Sequence, residues 1–131
     1  MGAILIDTQV LVWLAGDSRR LGAKARRLLE NTNNDVALSY FSLLEIVLKA
    51  ALGKMTYEDS IYEDLTAMGI RLLPANRSAL KHYQIFNRAN KDPFDNLLLA
   101  VAKAGGYQFI TSDRVILKTV PAGIKLFDAQ T

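Results

Sequence analysis

Short apolar runs alternating with longer amphipathic stretches predict an α/β fold. It should have three layers: a central, mostly parallel five-stranded sheet with helices on both faces. Three observations carry this. The apolar runs are continuous, as in strands buried on both sides, and do not alternate with polar residues. The stretches between them carry apolar residues at helical spacing and end at glycine or proline. No internal repeat, low-complexity tract or linker divides the 131 residues, so a single domain over 1–131 is expected.

Residues 3–7, Ala-Ile-Leu-Ile-Asp, read as the first strand, with Thr8 as N-cap of a short helix whose apolar face is Val10, Leu11, Trp13 and Leu14. Gly16-Asp17-Ser18 breaks that helix. A second helix spans 22–30, and 36–39 is the second strand. Phe41, Leu44, Val47, Leu48 and Ala51 then define an amphipathic helix ending near Gly53. A helix over 58–68 closes at Gly69. Residues 70–74 form the third strand, and a helix follows over 78–89. The central helix opens at Asp92-Pro93-Phe94-Asp95 and ends at Gly105-Gly106. Residues 107–111 form the fourth strand and deliver Ser112-Asp113. A short helix over 115–118, a turn at Pro121-Ala122-Gly123 and a fifth strand over 124–127 complete the chain.

The composition narrows the chemistry. There is no cysteine, which excludes disulfides, thiolate catalysis and cysteine zinc sites. That absence, an N-terminus without a basic leader and the lack of any long uncharged apolar run fit a cytoplasmic protein with no membrane span. Ser39, Thr111 and Ser112 have no histidine nearby in sequence, and the single histidine, His82, falls on an amphipathic helix, where surface or packing duty is expected. Neither phosphate-binding glycine motif is present. The net charge of +3 includes Arg19, Arg20, Lys24, Arg26 and Arg27 close together, with Arg88 and Lys91 flanking the central stretch. A basic surface around an acidic pocket suits a polyanion, although Lys24 to Arg27 alone read as a solvated helix face.

Four acids stand at the ends of elements. Asp7 and Asp113 follow apolar strands, Glu45 is one turn into the helix after Ser39, and Asp95 lies in the first turn of the central helix. Ligands of parallel α/β sheets bind beyond the carboxyl ends of the strands. If strands 1, 2 and 4 are neighbours, the four carboxylates converge there. Together they would repel one another, and a divalent cation resolves this; an all-oxygen set suits Mg²⁺ or Mn²⁺. The implied chemistry is metal-assisted phosphodiester cleavage. Each acid also has a plain structural role open to it. Asp92 and Asp95 resemble a capping box around Pro93, Asp7 can cap a turn with Thr8, Glu45 can pair with Lys49, and Asp113 can be an N-cap. Tyr40, Phe41 and Phe94 can stack on bases, with core packing the simpler role for the two phenylalanines.

The sequence resembles PIN-domain proteins, and specifically VapC-type toxin ribonucleases of toxin–antitoxin pairs, over nearly its whole length. The resemblance lies in Leu5-Ile6-Asp7-Thr8, Leu11-Val12-Trp13-Leu14, Ser42-Leu43-Leu44-Glu45-Ile46, Lys54 closing that helix, Asp92-Pro93-Phe94-Asp95 and Thr111-Ser112-Asp113. It implies a Mg²⁺- or Mn²⁺-dependent endoribonuclease on a five-stranded parallel sheet, an RNA substrate, a cognate antitoxin and a homodimer. By position, Asp7, Glu45, Asp95 and Asp113 would be the catalytic and metal-holding quartet. Asp92 would be an accessory acid at the rim, and Thr8 and Ser112 would support the metal shell. Two positions depart from relatives with this motif: Asn90 stands where they often carry His, and Asn96 where they often carry Arg.

Two other functions remain open on the sequence. A catalytically idle relative would only hold RNA or a protein. A receiver-like phosphoacceptor would also gather acids at this edge, but it needs paired acids after strand 1 and a lysine after the last strand, whereas Asp7 is alone and Lys125 is expected inside that strand. Dimerisation would draw on apolar residues around Leu65 and Ile85.

Overall fold

The structure, a computed structural model, describes residues 2–86, 92–119, 121 and 123–131. Its five strands are β1 (Ala3–Ile6), β2 (Asp35–Ser39), β3 (Arg71–Leu73), β4 (Gln108–Thr111) and β5 (Leu126–Asp128). They form one sheet in the order β3-β2-β1-β4-β5, and every pairing is parallel. The helices are α1 (Thr8–Ala15), α2 (Ala23–Glu30), α3 (Tyr40–Ala51), α4 (Ile61–Ala67), α5 (Arg77–Phe86), α6 (Pro93–Gly105) and α7 (Arg114–Thr119).

Side chains of a strand alternate between faces, and β1 shows what this does to the core. Ile4 and Ile6 pack on one face with Val10, Leu11 and Trp13 of α1, Leu43 and Ile46 of α3 and Leu65 of α4. Leu5 points the other way, against Ala79 and Phe86 of α5, Leu98, Leu99 and Ala102 of α6 and Ile116 of α7. Each large side chain so buried contributes about 1.5–3 kcal/mol of transfer free energy. Both faces are therefore covered, as the continuous apolar runs predict.

The chain lays down β2 and β3 on one side of β1, then returns to place β4 and β5 on the other. The order reverses between β1 and β4, and the carboxyl ends of those two strands frame the crevice where such sheets take ligands. α6 is steered there by its start: Asp92 is the N-cap, its Oδ1 accepting from Phe94 N at 2.9 Å, and Pro93 fills the first position. Gly106 ends it in the left-handed conformation at φ 68°.

Several boundaries move. Asp7, not Thr8, caps α1, because its Oδ1 accepts from Thr8 N at 2.7 Å and its backbone is extended. The expected break at 16–18 contains a turn of 3₁₀ helix at Ser18–Arg20, capped by Asp17. α4 starts at Ile61 and not at 58. β5 runs over 126–128, so Lys125 precedes it; Lys125 O still accepts from Phe109 N at 2.8 Å. Of the two residues named for dimerisation, Leu65 is buried and so is not available for it, while Ile85 is exposed. Arg88, Asn90, Lys91, the expected end of α5 near 89 and Ala122 lie outside the described residues. Among the described residues, no helix is long and apolar enough to cross a membrane.

Candidate functional site

A cleft of about 240 Å³ opens at the carboxyl ends of β1 and β4. Asp7, Glu45, Asp95 and Asp113 all line it, together with Thr8, Asp92, Ser112, Lys49, Gln9, Val12 and Met55. The condition set by the sequence is met, since β2, β1 and β4 are neighbours and bring four elements' acids to one edge.

Each acid is held by a local device. Asp7 is buried; besides Thr8 N, it accepts from Thr111 Oγ1 at 2.6 Å through Oδ2. Thr111 Oγ1 in turn accepts from Asp113 N at 3.0 Å, so one hydroxyl links the acids that follow β1 and β4. Asp113 also fulfils its capping role, its Oδ1 accepting from Val115 N at 2.8 Å and Ile116 N at 3.0 Å. Glu45 is buried in α3 with both oxygens engaged. Oε1 accepts from Thr8 Oγ1 at 2.7 Å, and Oε2 meets Lys49 Nζ at 2.6 Å. A carboxylate can only accept, so the Thr8 proton points at Glu45, and Ser42 Oγ, 2.9 Å from Thr8 Oγ1, completes the trio.

The electrostatics reflect burial first and neighbouring carboxylates second. Burial pushes the Asp7 carboxyl up from 3.8 to about 6, with Glu45 and Asp113 adding to the rise against the Thr111 and Thr8 hydrogen bonds. Asp95 rises to about 8, first through burial, then through Asp7, Asp92 and Asp113, and through a hydrogen bond with Asp113. Lys49 is pushed up chiefly by its bond to Glu45, with Asp92 and Asp95 also contributing. Among the described residues, however, no group of three or more acids or histidines stands close enough to hold a metal ion as it is.

These shifts set the pH dependence of the metal-free protein. A carboxyl raised in the fold stabilises fully below its unfolded value and loses that contribution as pH rises through the folded one. Stability should therefore fall from pH 4 to pH 8, Asp7 alone contributing a loss on the order of 3 kcal/mol. Urea melts across this range check it; stability that rises with pH would contradict the shifts. The surface pairs Asp35–Arg71 and Asp128–Arg114 keep their contribution throughout this range and lose it only as pH falls below 4, where their lowered carboxyls titrate.

Not all expected residues behave alike. Ser112 and Asp92 line the cleft, and Asp92 is also the helix cap. Asn96 is buried in the first turn of α6 and so is no part of an exposed rim. His82 is half-buried on α5 and does not line the cleft. Phe41 packs into the core, while Tyr40 is exposed. The sequence alone did not single out Thr111 or Ser42 as supports. The signal for both was a hydroxyl one or two residues from an element end that already carried a candidate acid.

Comparison with known proteins agrees with this architecture. The PIN domain family model matches residues 4–121. No curated protein matches the chain. The structure of VapBC-1 from nontypeable Haemophilus influenzae superposes with a TM-score of 0.69 at 19% identity, covering 98% of this chain and 99% of that one. FitAcB from Neisseria gonorrhoeae gives 0.65 at 22% identity over 96% and 97% of the two chains. VapBC-5 from Mycobacterium tuberculosis, a member of the VapBC family of toxin–antitoxin systems, gives 0.61 at 16% identity over 97% and 98%. At these identities the structures establish the fold, which is not that of a receiver. With the family model matched over nearly its whole length, the chain belongs to the PIN domain family.

Proposed function

We propose that the protein is a metal-dependent endoribonuclease, the toxin of a VapBC-type toxin–antitoxin pair, acting in the cytoplasm. The observation that carries this is the convergence of Asp7, Glu45, Asp95 and Asp113 on one cleft of a PIN-domain chain. The donor set fits a hard divalent cation. It is all oxygen, and four carboxyls share one part-buried cleft in which Asp7 and Asp95 are raised first by burial and then by their acidic neighbours. Binding must draw the acids closer together than they stand, so Mg²⁺ or Mn²⁺ belongs to the proposal.

A bound cation would supply an acidified water and offset charge building on the phosphate oxygens. The protein's own residues do the rest. Asp7, Glu45, Asp95 and Asp113 hold the cation, Thr8 and Thr111 fix the carboxylates' rotamers, and Ser112 and Asp92 shape the mouth. The start of α2 is tied to the chain end after β5 (Gly22 N to Ala129 O, Lys24 N to Thr131 O, both 2.9 Å). Lys24 is thereby set at the same edge of the sheet as the cleft, with Arg19 and Arg20 a few residues before it, which favours a polyanion such as RNA. The toxin–antitoxin structures that this chain resembles support an antitoxin partner. The exposed stripe Tyr40, Leu44, Val47 and Leu48 on α3, with Leu80 and Ile85 on α5, offers apolar surface for that partner and for a second copy of the chain.

The test is incubation of the purified protein with RNA. Cleavage should require Mg²⁺ or Mn²⁺ and stop with a chelator. Cleavage that survives chelation would overturn the metal reading. RNA binding without cleavage under any metal would favour the idle binding module instead.

A further inference from the structure

Glu45 presents the cleft with no uncommitted oxygen. Thr8 Oγ1 holds Oε1, and Lys49 Nζ sits at 2.6 Å on Oε2. The two partners differ in what it takes to move them. Thr8 is buried in the first turn of α1, whereas the Lys49 side chain is 38% exposed on a four-carbon stem and can swing into water. Lys49 also lines the cleft itself, one helical turn beyond Glu45, within the field of Asp92 and Asp95. Among the described cleft-lining residues it is thus the cationic side chain, placed where the acids are in excess. A simple surface pair would face solvent with both partners, yet here the acid is buried and the amine reaches inward to it.

We propose that Lys49 is a built-in counter-cation of the acidic cleft: it occupies the Glu45 oxygen that a divalent metal needs, and metal binding displaces it. This rests on the divalent-cation reading above. It makes Lys49 a positioning residue with two opposed effects. Its charge stabilises the metal-free protein by offsetting the carboxylates, and the same charge weakens metal binding, because a metal must both break the Glu45 contact and share the field of the acids with an ammonium.

The experiment is calorimetric titration of the full chain with Mn²⁺, for wild type, Lys49→Met and Lys49→Arg, with thermal melts of each metal-free protein. Lys49→Met should bind Mn²⁺ on the order of tenfold more tightly and melt lower than wild type without metal. Lys49→Arg keeps the charge and should follow wild type in both. Lys49→Gln gives the same comparison should the methionine variant fold poorly. Affinity for Mn²⁺ that is unchanged or weaker in the uncharged variants overturns the proposal and leaves the metal reading standing. Absence of Mn²⁺ binding in wild type and variants alike overturns both.

Discussion

Asp7→Asn should lower RNA cleavage by roughly a thousandfold or more while leaving the fold at least as stable as wild type. Two effects oppose each other in stability. Asparagine offers one acceptor oxygen where Asp7 uses two, for Thr8 N and Thr111 Oγ1, so one hydrogen bond of about 1 kcal/mol is lost. Against this, a buried carboxyl raised to about 6 no longer has to ionise at neutral pH, which removes a penalty on the order of 3 kcal/mol. A residue whose role was packing or capping would show the reverse pattern, with stability lost and activity following it. Cleavage assays alongside thermal melts separate the two. Equal cleavage by both proteins would end the proposed role of Asp7.

Asp95→Asn should likewise cost roughly a hundredfold or more in cleavage, with a clearer gain in stability. Asp95 carries the higher of the two raised values, about 8, through burial and the fields of Asp7, Asp92 and Asp113. Water still reaches it, so the gain at pH 8 without metal is about 1–2 kcal/mol, well short of the full shift. For a domain of this size that is a rise in Tm of roughly 5 °C. The fall in stability between pH 4 and pH 8 should flatten in this variant, and melts at the two ends of the range test it. A variant that melts lower at pH 8 would show that the carboxylate serves the fold.

The sheet and the acids were legible for the same reason: strands buried on both faces leave continuous apolar runs, and whatever follows such a run sits at the binding edge. Ala3 to Asp7 and Gln108 to Asp113 show this directly. The sequence left the Thr8 and Asp7 capping roles inverted, because an extended residue whose carboxyl binds the next N–H is an N-cap whatever its chemistry is used for. It also left β5 two residues early, because Ile124 is buried as a strand residue would be but sits in the turn after Pro121. The Glu45–Lys49 pair appeared as an alternative to a metal role. The structure contains the pair and still places Glu45 at the cleft, so the pair does not take Glu45 out of the site. The Thr111–Asp113 bond is local, but nothing in spacing could show that the same hydroxyl would reach Asp7, since that depends on the register between β1 and β4.

That hydroxyl bridge also bears on when the protein becomes competent. Thr111 and Asp7 are 104 residues apart in the chain, and their pairing waits on β4 docking beside β1. Contacts of such separation carry a large loop-closure cost and slow folding. A chain still emerging from the ribosome holds Asp7 and Glu45 long before it holds Asp113, so the cleft is assembled only once β4 and the residues through Asp113 have been made.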